Sequence, residues 1–292
     1  MNRRQLLTTL ATLPAATQLK GQSAGHTNHF KAGLVAYSYR KPLAAKTLKY
    51  EDVIRMASDW GLDGLDCTVY WFPDTSAQYL ASLRKFAFKN GIQIYNIGVQ
   101  VNLAQPTPEL RNAELEKVKK WVDVADRLGA NQMRVFGGPI PKGATEQQAI
   151  DMSIETMKQA AEISGARGIT IGVEDDAGLT INAAPTIAIV KGANSPWADI
   201  NADSGNLRFE GYAQFETLLP LATSVHLKTM VATSEQGKES KKEPADWKRL
   251  TGLISKSGYR GFIGLEYEGN DPDNDVPKYA QELHKLIREI SV

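Results

Sequence analysis

The sequence contains a single cysteine, Cys67, and only four histidines among 292 residues. One cysteine cannot form an intrachain disulfide, and a zinc site built from several thiolates is excluded as well. Charge of one sign is not in excess either, because 34 basic and 33 acidic residues give a formal net charge of +1. A basic surface for nucleic acid or for anionic lipid is therefore not expected, and we predict neither partner.

Long apolar runs and flexible linkers are also missing. The apolar segment that follows Arg3 and Arg4 is too short to span a bilayer, so no membrane insertion is predicted. No low-complexity stretch divides the chain, which favours one large domain. The first predicted strand is followed by the letters YSYR and not by a glycine-rich phosphate turn, which argues against a dinucleotide-binding sheet.

The amino terminus, MNRRQLLTTLATLPAA, differs from the rest of the chain. Twin arginines ahead of a weakly hydrophobic segment resemble a Tat export signal, and small residues follow at Ala15, Ala16 and Ala24. We therefore predict that residues 1–25 are a Tat-like leader and that the protein is exported to the periplasm. The alternative is a disordered basic tail.

From Gly33 onward, short apolar runs alternate with longer segments of helical periodicity. Eight such units in about 260 residues match a TIM barrel, whereas a doubly wound open sheet usually has five or six. The predicted strands are 33–38, 62–67, 92–98, 131–138, 169–174, 198–203, 224–228 and 261–266. The predicted helices are 50–60, 77–90, 109–128, 145–166, 185–191, 212–219, 244–257 and 277–290. The sequence thus predicts an α/β protein, a single (β/α)8 TIM barrel over residues 31–292, with a solvated loop at SEQGKESKKE.

Four of these strands carry a metal-binding type of residue at or near their carboxyl ends. Glu174 closes ITIGVE, Asp203 closes WADINAD, His226 lies in SVHLK, and Glu266 closes GFIGLE. An ionised carboxylate at the end of a buried strand is costly unless a cation or hydrogen-bond donors compensate it. Taken alone, each acid is more often an N-cap or an ion-pair partner. Because strand ends share one mouth in a TIM barrel, the four together predict a divalent cation site. Mn²⁺, Mg²⁺ and Co²⁺ suit this ligand set, and Zn²⁺ stays open.

The segments GVED, DINADSGN, VHLK and GLEYEG resemble the xylose-isomerase-like TIM-barrel superfamily, the sugar phosphate isomerase/epimerase family. Ketose 3-epimerases and inosose dehydratases are among its members, and the resemblance covers residues 31–290. It implies a divalent cation, most often manganese, held by the four residues named above. It further implies that Glu174 and Glu266 act as acid and base on either side of a sugar, and that Lys228 and Arg134 contact the substrate.

Two positions depart from the family pattern, because Asp176 and Asn206 stand where many epimerases have histidines. Both are predicted to face the substrate, and Asn206 can still donate to a hydroxyl group. Aromatic residues follow the first two strands, among them Tyr70, which is predicted either to stack on a sugar or to pack a loop over the barrel mouth.

The predicted function is a metal-dependent isomerase or epimerase that moves a proton next to a carbonyl group through an enediolate. An acidic last loop (EYEGNDPDND) and export favour a non-phosphorylated carbohydrate or glycoside. One alternative is a lyase that cleaves 3-keto-glycosides by removing the proton at C2 and expelling the C1 substituent. A second is a non-catalytic carbohydrate-binding protein. An abasic-site endonuclease is disfavoured by the few histidines and the neutral charge. A homo-oligomer is compatible with the sequence, in which nothing fixes the oligomeric state.

Overall fold

Runs rich in valine, isoleucine and leucine form the strands, and amphipathic helices connect them. The computed structural model describes residues 29–290, in which eight parallel strands close into a barrel surrounded by helices. The strands are β1 (Phe30–Val35), β2 (Gly64–Thr68), β3 (Gln93–Asn102), β4 (Gln132–Phe136), β5 (Thr170–Glu174), β6 (Ala198–Asp203), β7 (Ala222–Lys228), β8 (Met230–Ala232), β9 (Lys242–Pro244) and β10 (Gly261–Glu266). All except β8 and β9 belong to the barrel, in the order β1, β10, β7, β6, β5, β4, β3, β2. The predicted α/β TIM barrel is confirmed.

The helices connect successive strands on the outside of the barrel. They are α1 (Arg40–Ala44), α2 (Tyr50–Asp59), α3 (Ala77–Lys89), α4 (Pro108–Leu128), α5 (Glu146–Gly165), α6 (Ala183–Ala193), α7 (Gly211–Leu218), α8 (Trp247–Lys256) and α9 (Pro272–Ile290). In residues 29–290, no helix is long and apolar enough to cross a membrane. The predicted leader, residues 1–25, lies outside the described residues.

Local sequence fixes where individual helices begin and end. The side-chain oxygen of Thr145 accepts a hydrogen bond from the Gln148 N–H at 3.2 Å, and the Gln148 side chain accepts one from the Thr145 N–H at 2.9 Å. This reciprocal capping box starts α5. At the other end of a helix, α4 stops at Gly129, whose φ of 78° is a left-handed conformation that glycine adopts without strain.

One layer of the barrel interior is formed by two stacked aromatic side chains and the glycines around them. Tyr95 stacks on Phe262 with ring centroids 4.0 Å apart. A Cβ atom at Gly33, Gly64 or Gly264 would come within 2.8, 2.8 or 2.6 Å of a Tyr95 atom, so glycine is required at all three positions. Because Gly264 precedes Glu266 by two residues, this packed layer lies directly beneath the strand ends.

The lysine-rich segment was predicted to be a loop throughout, and this was wrong in part. Its two flanks form the antiparallel pair β8 and β9, in which Met230 pairs with Pro244 and Ala232 with Lys242. Each strand has only three residues, too few for an alternating pattern to be visible in the sequence. The pair holds the loop after β6, because the ammonium group of Lys242 donates to the Gly205 carbonyl at 2.6 Å.

Other boundaries also differ from the prediction. Strand β1 spans Phe30–Val35 and not 33–38, because Ala36–Tyr39 form a short 3₁₀ helix. Two more differences concern β3 and α9. Strand β3 continues to Asn102, four residues beyond its predicted end, because Val99 and Val101 continue the buried side of the strand. Helix α9 begins at Pro272 and includes Pro277, which had been predicted as its first residue. A proline near the first turn removes a single backbone hydrogen bond, so it is tolerated there more easily than in the middle of a helix.

Candidate metal centre

Four side chains meet at the carboxyl ends of adjacent barrel strands. Glu174, Asp203 and Glu266 are the last residues of β5, β6 and β10, and His226 lies two residues before the end of β7. Because β5, β6, β7 and β10 are neighbours around the barrel, these side chains converge. One ligand atom from each lies within 4.8 Å of all the others, and all four residues are buried. The structure therefore brings the predicted metal ligands together.

The imidazole of His226 lies at the middle of the cluster. Its Nδ1 atom is 3.1 Å from Glu174 Oε1, 3.1 Å from Glu266 Oε2 and 3.8 Å from Asp203 Oδ2. Burial alone lowers the pKa of His226, but contact with the carboxylates of Asp66, Glu174 and Glu266 outweighs it and raises the pKa well above the ordinary value. A ring nitrogen among three carboxylates is an arrangement that a divalent cation stabilises.

Asp203 shows directly that the cluster suits a cation. Its Oδ1 atom accepts the backbone N–H groups of Gly205 at 2.7 Å and Asn206 at 3.1 Å. Its Oδ2 atom is buried, and no hydrogen-bond donor reaches it from the described part of the chain. Burial and the neighbouring Glu266 raise the pKa of Asp203, against the opposing charge of Lys228. The ammonium group nearest to Oδ2, Lys228 Nζ, is 3.6 Å away. A buried carboxylate oxygen without a hydrogen-bond donor, in a cluster with two other acids, fits a hard divalent ion.

The backbone of Asp203 is fixed by a second buried acid, Asp175. The Asp203 N–H donates to Asp175 Oδ1 at 2.7 Å, and Asp175 is fully buried. Burial, followed by the charge of Asp203, raises the pKa of Asp175 well above its usual range. Asp175 therefore helps to hold the end of β6 in place.

A polar cavity of about 230 Å³ opens above the cluster. It is lined by Glu174 and Glu266 and by all five residues that the sequence predicts for substrate binding, Tyr70, Arg134, Asp176, Asn206 and Lys228. Tyr37, Gln100, Phe136 and Glu268 complete the wall. A larger groove of about 380 Å³ borders α3 at the amino end of β3, and none of its lining residues is a carboxylate or a histidine.

Both basic side chains of the cavity wall, Arg134 and Lys228, form ion pairs with carboxylates. Arg134 Nε lies 3.3 Å from Glu174 Oε2, and its Nη1 atom donates to the Tyr70 hydroxyl at 2.9 Å. Burial alone lowers the pKa of Arg134, but the Glu174 charge reverses the direction and raises it. Lys228 Nζ lies 2.8 Å from Glu268 Oε1 and 3.3 Å from Glu266 Oε2. Among the described lining residues, neither cation is left free for a phosphate group.

Three polar residues beneath the cluster were not predicted. Asp66 Oδ2 lies 2.8 Å from His226 Nε2, and Asn96 donates to the same oxygen at 2.7 Å. Asn201 donates to Glu174 Oε1 at 3.3 Å. Asp66 is the last residue but one of the predicted second strand, LDGLDC, so a search for acids near strand ends in the first half of the chain would have included it.

The comparisons with known proteins agree with this geometry. A search of the curated proteins found no match. The sequence matches the family described as Xylose isomerase-like TIM barrel over residues 54–290. The chain belongs to this family. In TIM-barrel enzymes the active site lies at the carboxyl ends of the strands, which is where the four candidate ligands of this xylose isomerase-like barrel converge.

Several solved structures are similar to this xylose isomerase-like barrel. D-Psicose 3-epimerase with D-tagatose, from Clostridium cellulolyticum H10, has a TM-score of 0.67 at 17% identity, over 89% of this chain and 99% of that chain. The probable 3-DHS dehydratase AsbF from Bacillus anthracis has a TM-score of 0.64 at 15% identity, over 88% and 98%. The IolI protein with a bound zinc atom has a TM-score of 0.68 at 13% identity, over 89% and 98%. At these identities the likeness shows the fold alone.

Proposed function

We propose that this protein is a divalent-metal-dependent enzyme that isomerises or epimerises a non-phosphorylated carbohydrate by moving a proton next to a carbonyl group. The observation that carries the proposal is the convergence of Glu174, Asp203, His226 and Glu266 at the floor of a polar cavity. The family contains enzymes of this kind, and the similar IolI structure contains zinc. We propose Mn²⁺ as the ion, with Mg²⁺, Co²⁺ and Zn²⁺ as alternatives.

Two glutamates, Glu174 and Glu266, line the cavity and can exchange protons with a substrate there. A divalent ion bound here would polarise a carbonyl oxygen of the substrate and would stabilise the negative charge of an enediolate. Glu174 and Glu266 belong to strands separated by β6 and β7, so they approach the cavity from two sides. One glutamate removes a proton from the carbon beside the carbonyl. The other returns a proton to the same carbon in epimerisation, or to its neighbour in isomerisation.

The surroundings of Glu266 keep its carboxylate ionised. Burial by itself raises the pKa of Glu266, but the ammonium group of Lys228 and the imidazole of His226 outweigh burial and hold the pKa well below its usual range. Glu266 is therefore ionised at neutral pH. Glu174 has a different environment, between the guanidinium of Arg134 and the amide of Asn201. Two carboxylates in different environments can divide the acid and base roles.

The charge of the cavity favours a neutral substrate. In formal charges, Glu174, Asp176, Asp203, Glu266 and Glu268 stand against the two cations Arg134 and Lys228. Five carboxylates and two cations leave three net negative charges, and a divalent ion reduces this excess to one. Such a site repels a phosphate group. The proposed export through the Tat-like leader agrees with this, because sugar phosphates are cytoplasmic.

A lyase acting on 3-keto-glycosides is the second candidate, and the aromatic side of the cavity favours it. Tyr37 stacks on Trp71 with centroids 5.8 Å apart and meets Tyr70 edge to face at 6.5 Å. Rigid aromatic rings at a cavity mouth suit a second ring of the substrate, such as an aglycone. In this reaction a glutamate removes the C2 proton, a C1–C2 double bond forms, and the C1–O bond breaks. The departing oxygen then receives a proton.

The experiment that tests the proposal removes the metal from the full chain with a chelator and restores Mn²⁺. Free ketoses and a 3-keto-glucoside are then incubated in D₂O and followed by NMR. Deuterium at an epimerisable carbon of a free sugar identifies the isomerase or epimerase, and aglycone release from the 3-keto-glucoside alone identifies the lyase. Sugar binding without turnover, or turnover that ignores the metal, contradicts the proposal and leaves a carbohydrate-binding protein or a different chemistry.

Matched variants test whether Glu174 and Glu266 carry out the proton transfer. Glu174→Gln and Glu266→Gln keep the size of the side chain and remove its ability to exchange a proton, so each is expected to lower kcat by about 10²–10⁴-fold. Glu116→Gln, on the exposed face of α4, changes the same functional group away from the cavity and should leave kcat unchanged. Full turnover by either cavity variant contradicts the acid/base assignment.

A further inference from the structure

We propose that Asp66 is a positioning residue that fixes the imidazole of His226 with its Nε2 proton directed into the barrel and its Nδ1 atom directed at the metal centre. This inference rests on the metal site of the proposed function, and it adds a residue that lies outside the four ligands. Asp66 is on β2, which β1 and β10 separate from β7, so it reaches His226 across the barrel interior.

The hydrogen-bond geometry defines which ring nitrogen carries the proton. Asp66 Oδ2 lies 2.8 Å from His226 Nε2, and both side chains are buried. An ionised carboxylate only accepts hydrogen bonds, so the Nε2 atom must donate. With the Nε2 proton held in this way, the neutral ring that a metal requires directs the lone pair of Nδ1 towards Glu174, Asp203 and Glu266. A carboxylate on the outer nitrogen of a ligating histidine orients the ring and increases its basicity.

The carboxylate of Asp66 is itself held in place. Asn96 donates to Asp66 Oδ2 at 2.7 Å and approaches Asn201 Oδ1 at 3.3 Å. Asn201 in turn donates to Glu174 Oε1 at 3.3 Å. One chain of hydrogen bonds therefore runs from Asp66 to a candidate ligand, below the floor of the cavity. It connects Asp66, which contacts His226, with Glu174.

A contribution to the stability of the fold does not explain why an aspartate occupies position 66. Its Oδ1 atom is buried and has no hydrogen-bond partner within residues 29–290. Leaving a buried carboxylate oxygen unpaired is unfavourable, and an apolar side chain of similar size would fill the position at lower cost. Buried polar groups with an unsatisfied atom call for a specific explanation. Orientation of His226 supplies one.

The test measures Zn²⁺ binding to the full chain, because Zn²⁺ is diamagnetic and allows NMR. Affinity is determined by competition with a chelator for the wild type, Asp66→Ala and Asp66→Asn. Asp199→Asn is the matched control, because Asp199 is also on an inner strand face but does not contact His226. Asp66→Ala is expected to bind Zn²⁺ about 10–100-fold more weakly. Asp66→Asn should lose less, since its carbonyl oxygen can still accept from Nε2, and the control should bind as the wild type.

A spectroscopic measurement separates positioning from a general loss of structure. With only four histidines in the chain, a long-range ¹H–¹⁵N spectrum of the Zn²⁺-loaded protein shows which nitrogen of His226 carries the proton. We expect Nε2 in the wild type and a mixture of ring orientations in Asp66→Ala. A proton on Nδ1 in the wild type, or unchanged affinity and ring state in Asp66→Ala, overturns the inference. A wild type that binds no Zn²⁺ overturns it together with the metal site. Because turnover is not measured, failure of Asp66 alone leaves the proposed function intact.

Discussion

The ammonium group of Lys228 bridges a candidate metal ligand and the cavity wall: its Nζ atom lies 3.3 Å from Glu266 Oε2 and 2.8 Å from Glu268 Oε1. Burial alone lowers the pKa of Lys228, but the charges of Asp203, Glu266 and Glu268 raise it well above the ordinary value. Lys228 is therefore a permanent cation beside Glu266. It keeps Glu266 ionised, and it can donate to a substrate oxygen that enters the cavity.

Replacing Lys228 by methionine should lower kcat/KM by about 10²-fold or more, because it removes both the donor and the charge that keeps Glu266 ionised. The comparison is Glu268→Gln, which leaves the ammonium group beside Glu266 and should cost at most about tenfold. Steady-state kinetics, with metal content measured on the same samples, checks both values. A Lys228→Met variant that works at the wild-type rate contradicts this role.

The residues of the candidate site could be predicted from the sequence only where they lie at or near the ends of predicted strands. Glu174, Asp203, His226 and Glu266 were predictable because each lies at or near the carboxyl end of an apolar run, and parallel strands bring these ends to one mouth. Asn201 lies opposite Glu174 on the neighbouring strand β6 and was not predicted, because it is an uncharged residue before the end of its strand. Asp66 was not predicted because it meets His226 across the barrel interior. Such contacts depend on how the barrel closes.

The fold was predictable for a similar reason, although two short strands and the register of the barrel were not. Eight apolar runs separated by helical segments define the barrel by their number. The strands β8 and β9 were missed because each has only three residues, too few for an alternation of buried and exposed residues to be visible in the sequence. The register that brings Gly33, Gly64 and Gly264 around Tyr95 also could not be predicted, since each glycine looks like an ordinary break in a strand until the barrel closes.

The packing around Tyr95 predicts an unusual pair of stability changes. Its hydroxyl is buried without a hydrogen-bond partner among the described residues, so Tyr95→Phe should leave stability unchanged or raise it by about 1 kcal/mol. Gly264→Ala places a methyl group against the same ring and should destabilise the protein by about 1–3 kcal/mol. Denaturant unfolding of both variants measures these values. Strong destabilisation by Tyr95→Phe contradicts the assigned packing.

Asp199 predicts a dependence of stability on pH. It lies on β6, two and four residues before Asn201 and Asp203, and burial raises its pKa from 3.8 to about 6. Between these two values the folded protein holds a proton that the unfolded chain has lost. The stability linked to Asp199 is therefore fully present below about pH 4 and is lost as the pH rises through about 6.

Asp199→Asn removes this titration. The difference in stability between the variant and the wild type therefore reports on Asp199 and not on the other acids. The variant should be more stable than the wild type at pH 7.5, and the difference should shrink towards zero as the pH falls to about 4. Thermal unfolding across this pH range, taken as the difference between the two proteins, provides the measurement. A difference that is constant with pH, or that grows at low pH, is incompatible with a raised pKa at Asp199.

The central claim is that four buried side chains hold one divalent ion, and calorimetric titration of the chelator-treated full chain with Mn²⁺ tests it most directly. We expect one ion per chain in the wild type and in the exposed-surface control Glu116→Gln. At 100 times the Kd, the ion should stabilise the folded state by about 2.7 kcal/mol and raise Tm accordingly. Asp203→Asn, which removes the charge of the carboxylate whose Oδ2 atom has no hydrogen-bond donor among the described residues, should bind far more weakly. No binding by the wild type, or equal binding by Asp203→Asn, would contradict the account.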